Sequence, residues 1–379
     1  MIKQFEIPDV RDGLTTLQRR MLWMMKTMRL TSKKSYTKAA HIIIETEKGE
    51  KELQKFFDFI YDDIMIPMTQ KWHYPLPMIE GHGNWGSMTG EYEAAAPRFT
   101  ECRLTEFSEK TLLIGLNQRI VKYILNPNTQ KKEPSVLTAG IPNALVSGTS
   151  GNSHIPPHNL GEVIDAVIAM IKNSDLKTEQ LLDYIKGPDF PTGGTIINKN
   201  ELPQIYQSGA GEFRIRGTME LKTSIESEKC IIVREIPYTM IGKVEKFVEY
   251  IQSEYMKEFF FTDITKVEIF SSRFDSAKNN VNISITLNET ADIHHNKELL
   301  YEYSELESNF DYRALLTSNR NPCLMSLHQI LSEWLDFYRE MKTKQKHGIS
   351  PTDEELIEAL LKIKDQFATP RKTKIIDAI

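Results

Sequence analysis

The chain has 379 residues, 40% of them hydrophobic and 26% charged, with a mean hydropathy of -0.39. Those are values for a soluble globular chain with apolar mass for two or three domains. No apolar run reaches the roughly 18–20 residues of a membrane span. Met1–Pro8 lacks a signal-peptide stretch, and Cys102, Cys230 and Cys323 are too scattered for a disulfide framework or a Cys-based zinc site. The expected location is cytoplasmic.

Net charge is -5, which argues mildly against nucleic acid as a partner, but charge is local. Residues 1–38 carry nine Lys/Arg against three acids, and residues 45–63 carry seven acids against three lysines. Pro8 and Asp12-Gly13 predict a turn, followed by an amphipathic helix with apolar positions 14, 17, 21, 22, 24, 25 and 28. Arg11, Arg19, Arg20 and Lys26 fall on its remaining faces. A second helix over about 50–70 places Leu53, Phe56, Phe57, Ile60 and Ile64 on one side. Residues 81–90 are too rich in glycine for helix or central strand, and they match neither GxGxxG nor GxxxxGK[ST], so no nucleotide site is indicated.

A helix is expected over about 100–115, then a turn at Asn126-Pro127-Asn128 between short strands. From about 140 the texture changes. A Gly/Pro loop leads into a helix over 160–173, and half-buried strands of an α/β-type unit are expected at Thr195–Asn198, Glu212–Leu221, Cys230–Glu235 and Val281–Leu287. Leu324–Lys344 is again helical. The domain expectation is therefore 1–140, 141–322 and 323–379.

Ile7-Pro8-Asp9-Val10-Arg11-Asp12-Gly13-Leu14 with Gln18-Arg19-Arg20 resembles the opening of the type IIA topoisomerase breakage-reunion subunit, the gyrase A / topoisomerase IV A family. Further matches follow in family order. They are Gly81-His82-Gly83-Asn84-Trp85-Gly86-Ser87, Ala94-Ala95-Ala96-Pro97-Arg98, Thr100-Glu101 with Arg103, Ile155–Val163, Gly187–Gly194 and Glu235-Ile236-Pro237-Tyr238. The resemblance implies an α+β fold: a winged-helix DNA-gate domain, a tower-like α/β domain and a coiled coil, here shortened. It also implies a homodimer that acts on duplex DNA. A tyrosine would attack a phosphodiester with an arginine beside it stabilising charge. Mg²⁺ and ATP would belong to a separate ATPase/TOPRIM subunit, with no metal or cofactor in this chain.

The sequence departs from that pattern. The family's Arg-Tyr pair reads Arg98-Phe99, and Phe99 has no phenol oxygen; Tyr92 is the nearest tyrosine. The family's His-Pro-His-Gly-Asp is absent, with Lys48-Gly49-Glu50 as its best trace, so the histidine that helps activate the nucleophile is missing too. After Glu340 about forty residues remain, broken by Gly348 and Pro351, too few for a full-length exit gate.

By the same resemblance, Arg11, Arg19, Arg20 and Lys48 would line the DNA gate. Ile155, just before two prolines on an expected exposed loop, would wedge between base pairs. Arg98 would be either a phosphate ligand or an ion-pair partner. His158 and Asn159 are expected to cap the next helix, and His294-His295 to lie on a surface turn. Three functions stay open: a DNA-binding relative that cannot cleave, a working fragment with an engineered Tyr→Phe change, and a protein-interaction scaffold. The acidic 45–63 stretch and the pI allow the last: carboxylates facing phosphates oppose binding, whereas acids facing solvent leave Lys48, Lys51 and Lys55 toward DNA, and the sequence does not decide between these.

Overall fold

In the computed structural model, residues 7–46, 57–126, 129–223, 229–270, 281–318 and 321–377 are described. The first helix, α1, covers Thr16–Thr27 and starts where the sequence places it. Thr15 and Gln18 form a reciprocal capping box, each side chain bonding the other's backbone N–H at 3.4 and 2.9 Å. Met21, Leu22, Met24 and Met25 form the expected buried stripe. Just ahead of it, Gly13 has φ +67°, and a Cβ there would lie 2.3 Å from the backbone nitrogen of Ala144. Only glycine lets the Asp12-Gly13 turn dock on that backbone.

Helix α2, Ala39–Thr46, follows a short strand β1, Thr37–Lys38. The second predicted helix is described from Phe57 on, and it contains a π-helical turn over Ile60–Met65 before an α-turn at Ile66–Thr69. Leu53 and Phe56 lie outside the described residues. The expected helix over 100–115 is corrected. Strands β2 (Ile79–His82) and β3 (Glu101–Leu104) pair antiparallel, with β1 on the other side of β3, and only Glu106–Thr111 is helical. The sequence Glu-Cys-Arg-Leu alternates polar and apolar, so Cys102 and Leu104 point into the core and Glu101 and Arg103 outward. Thr105 then caps the helix through Ser108 N–H.

The apolar core does not divide at residue 140. Val10, Ile79, Ile141, Val163, Phe213, Trp334 and Leu360 belong to one continuous cluster, and the Trp334 indole donates to the Ala139 carbonyl at 3.2 Å. A second cluster runs from Ile231 to Leu306 and takes in Met88. It is built on an antiparallel sheet in the order Ile264–Ile269, Ile283–Leu287, Lys229–Glu235, Thr218–Thr223, with helices Val244–Gln252 and Ile293–Glu302 contributing Val244, Phe247, Ile251 and Leu300. The stretch 141–322 is thus split between two cores. Gly217 marks the switch, because a side chain there would meet the Glu235 carbonyl at 2.6 Å. The expected strand Glu212–Leu221 is accordingly two strands, Ala210–Arg216 and Thr218–Thr223, in different sheets.

The C-terminal helices do not extend as a coiled coil. Helix Leu327–Gln345 buries Leu327, Ile330, Leu331, Trp334 and Tyr338 in the main core. After Gly348, helix Asp353–Phe367 starts from a Thr352/Glu355 capping box. It lies against helix Leu160–Lys172, where Lys364 reaches Asp165 at 2.5 Å. Lys374–Ile375 then pairs in parallel with Thr195–Ile196, and Arg371 binds Glu162 at 2.8 Å.

Candidate nucleic-acid interface

Strands β2 and β3 enclose the glycine loop, which turns on Gly83, Gly86 and Gly90, all at positive φ. Trp85 roots the loop. Its ring is buried, its indole N–H donates to the His82 carbonyl, and its own carbonyl accepts from Gln70 Nε2 at 2.7 Å. The return segment is fastened at both ends. Ala95 N–H donates to the Asn84 carbonyl, and the Ala95 carbonyl accepts from Tyr61 Oη. Thr100, fully buried, sits 2.8 Å from the same hydroxyl, and its carbonyl accepts from Ala39 N–H. Between these anchors Arg98 and Phe99 face solvent, Phe99 with 62% of its surface exposed. The Arg98 guanidinium lies 4.8 Å from the Phe99 ring centroid, and no ion pair to it appears among the described residues.

Beside this turn, the outer face of the three-stranded sheet carries rings and charges in alternation. Tyr36 stacks on His82 with centroids 5.2 Å apart and planes 25° from parallel, and Arg103 lies 4.2 Å over the Tyr36 ring. Arg103 also binds Glu80 through both Nε and Nη2, at 2.9 and 3.1 Å. Tyr36 Oη donates to the same carboxylate at 2.6 Å. The Arg103 bonds and the Tyr36 hydroxyl hold Glu80 below the usual carboxylate range. Glu101 is lowered in the same way, chiefly by Lys38, with His82 adding to it.

The structure separates the arginines predicted to act together. Arg19 is 7% exposed and grips Asp12 through Nε and Nη2 at 2.6 and 2.9 Å. Asp12 is fully buried and also accepts the Leu137 and Leu14 N–H groups. Burial alone would lower the Arg19 pKa, but Asp12 raises it further. Arg20, 8% exposed, grips Glu133 at 2.8 and 3.2 Å. Neither lines an open surface in this conformation, which corrects the gate-lining expectation. Their carboxylate partners lie seven residues back and 113 residues ahead, and helical spacing gave no sign of either. Arg11 is different: it binds Asp9 at 2.8 Å with 38% of its side chain exposed. Burial raises the Asp9 pKa, and the bonds and charge of Arg11 outweigh that and leave it lowered.

Ile155 is 1% exposed and belongs to the main core, so the expected exposed wedge is corrected. Its backbone is clasped by Thr149, which gives a hydroxyl acceptor to Ile155 N–H and donates its own N–H to the Ile155 carbonyl. Asn159 caps the next helix as expected, accepting from Gly161 and Glu162 N–H. His158 does not cap. It is buried, with Nδ1 3.2 Å from the Leu145 carbonyl and Nε2 2.7 Å from Tyr206 Oη. Burial pushes its pKa down to about 4, so the ring is neutral, with Nδ1–H donating and Nε2 accepting. Lys48 and the Lys48-Gly49-Glu50 trace lie outside the described residues. His294 and His295 sit at a helix start, their N–H groups bound by Asp292. Among the described residues, no group of three His, Cys, Asp or Glu is placed to hold a metal.

A family model for the A subunit of DNA gyrase/topoisomerase IV matches residues 6–378. This chain belongs to that family. It is 36% identical over 343 residues to the chloroplastic/mitochondrial DNA gyrase A protein of Nicotiana benthamiana, covering 87% of this chain and 35% of that one. Against the DNA gyrase A protein of Streptococcus pneumoniae it is 32% identical over 347 residues, covering 89% and 40%. The gyrase A protein of Kosmotoga olearia is 31% identical over 370 residues, covering 94% and 43%. The chain therefore spans between about a third and two-fifths of the length of these relatives.

Within this gyrase A family member, what sequence reasoning missed is Tyr36 and its packing between His82 and Arg103, two residues read only as motif matches. The signal is faint: one tyrosine among the three residues between Lys34 and Lys38, and the outward positions of a four-residue strand. Among the described residues no helix is long and apolar enough to cross a membrane.

Proposed function

We propose that this chain is the DNA-gate portion of a gyrase A-like protein that holds duplex DNA without cutting it. The observation that carries the reading is the side chain at position 99. A phenyl ring with no oxygen stands on a pinned, exposed turn, beside an arginine that makes no ion pair among the described residues. Covalent strand cleavage by this family's route needs a phenolate-like oxygen to attack phosphorus and retain the cleaved strand as an ester. Phenylalanine offers no such atom. Arg98 remains able to contact a phosphate, and Arg11 offers a second, partly exposed guanidinium. Tyr92 is 49% exposed but precedes the anchored Ala94–Ala96 segment, seven residues from the motif position.

In this reading the three-stranded sheet with α1 and α2 forms the winged-helix gate, and the second core, about residues 218–306, forms the tower. Two copies meet across a two-fold axis. Mg²⁺ and ATP are held by a separate ATPase subunit, and this chain contributes the grip on the duplex. The test is binding to a labelled duplex of about 30 base pairs over a salt series, with denaturant-resistant complexes assayed in parallel. Affinity should fall steeply with salt, and no covalent complex should form, even from Phe99→Tyr with a competent ATPase subunit, because the activating histidine is also gone. Recovery of a covalent complex from Phe99→Tyr would establish instead a working breakage-reunion subunit that lacks only its phenol. Absence of DNA binding at low salt would favour a protein-interaction scaffold.

A further inference from the structure

We propose that Phe99 under Arg98, together with the neighbouring Tyr36–His82 stack, forms a strip that takes the unpaired bases of single-stranded DNA. The chain then prefers a duplex interrupted by a gap to an unbroken one. The proposal rests on the DNA-binding reading above and names the form of DNA that this surface selects.

Phe99 has no polar atom with which to meet a phosphate or a groove edge, so its strong interaction with nucleic acid is stacking on a base. The ring stands out from a pinned backbone: Phe99 is 62% exposed, its N–H donates to the Ala96 carbonyl, and the next residue, Thr100, is fully buried. Arg98 at 4.8 Å adds a cationic plane of the kind that accompanies base stacking. A second platform lies alongside. His82 keeps 66% of its side chain exposed while stacking on Tyr36. The next residue, Gly83, is a neighbour of the 99–100 turn: a Cβ on it would be in ordinary van der Waals contact with the Phe99 carbonyl, at 3.8 Å.

Charge also favours bases over backbone here. Glu80 and Glu101 are occupied by Arg103 and Lys38, and the exposed Glu93 on the loop opposes a phosphate chain laid directly across it. Bases turned inward, with their phosphates toward solvent and the Lys33–Lys38 edge, satisfy both conditions. An intact duplex presents no free base face without unstacking.

Anisotropy titrations would compare one labelled duplex, intact or carrying a gap of about four nucleotides, with 2-aminopurine opposite the gap. The gapped form should bind about tenfold tighter, with 2-aminopurine fluorescence changing on binding. Phe99→Leu, which keeps an apolar side chain and loses the flat ring, should bring the gapped-to-intact affinity ratio close to one. Phe99→Tyr should preserve it, and His82→Ala should lower it in part. Equal affinities for gapped and intact duplex, or a ratio unmoved by Phe99→Leu, would overturn the inference and leave the duplex-binding reading standing. Failure to bind either form would overturn both.

Discussion

Two arginine-bearing stretches of this chain have opposite physical roles. In α1, Arg19 and Arg20 are closed off from solvent, each held by two bonds to one carboxylate. On the 94–100 turn, Arg98 is exposed and lies over a phenyl ring. The motifs around both resemble those of DNA-gate proteins, yet only the second presents its charge to solvent. A motif match specifies a residue type at a position, and the side chain's role depends on whether a carboxylate from elsewhere in the chain reaches it first.

The largest effect that tests this contrast is on stability. Arg19→Ala leaves the buried Asp12 carboxylate without its counter-charge, and loss of one partner of a buried pair costs about 3–5 kcal/mol. Urea denaturation should show that loss, and a change below about 1 kcal/mol would mean that Arg19 is exposed in solution and available to DNA.

A middle-sized effect comes from His158, another group held inside. Its folded pKa of about 4 lies below the ordinary 6.5 because of burial. The unfolded chain therefore takes up the proton first as pH falls. The His158 contribution to stability is fully present above pH 6.5, drops by about 1.4 kcal/mol per pH unit between 6.5 and 4, and levels off below that; His73, which burial also lowers to about 4, adds a slope of the same sign. Melting curves over that range should show the combined slope, and His158→Gln should reduce it by about 1.4 kcal/mol per pH unit, leaving the His73 part; an unchanged slope would mean that His158 is solvated.

The smallest effect belongs to the exposed turn. Phe99→Leu and Arg98→Ala should each leave unfolding free energy within about 0.5 kcal/mol of the parent, since neither side chain fills the core. A destabilisation of about 2 kcal/mol in either would show that the turn is packed against something in solution.

Periodicity found α1, the Leu160–Lys172 helix and most of Leu327–Gln345, because each carries a long amphipathic stripe and a capping residue. It failed at Glu101–Leu104, where four residues are too few to set period two against the helix that follows. It failed again at Glu212–Leu221, where a close backbone approach at Gly217 splits one apparent strand between two sheets. For the site, position 99 was legible from its motif, and its exposure was not. Ile155 was misplaced because two following prolines suggest a projecting loop, while the Thr149 clasp draws that segment inward.

The return of helix Asp353–Phe367 onto Leu160–Lys172 has a consequence for biosynthesis. The face of the earlier helix that receives it leaves the ribosome nearly two hundred residues before its cover. At about 5–20 residues per second, that apolar surface waits roughly 10–40 seconds. During that interval the nascent chain can bury it only against itself, against a neighbouring nascent chain, or in the hands of a chaperone.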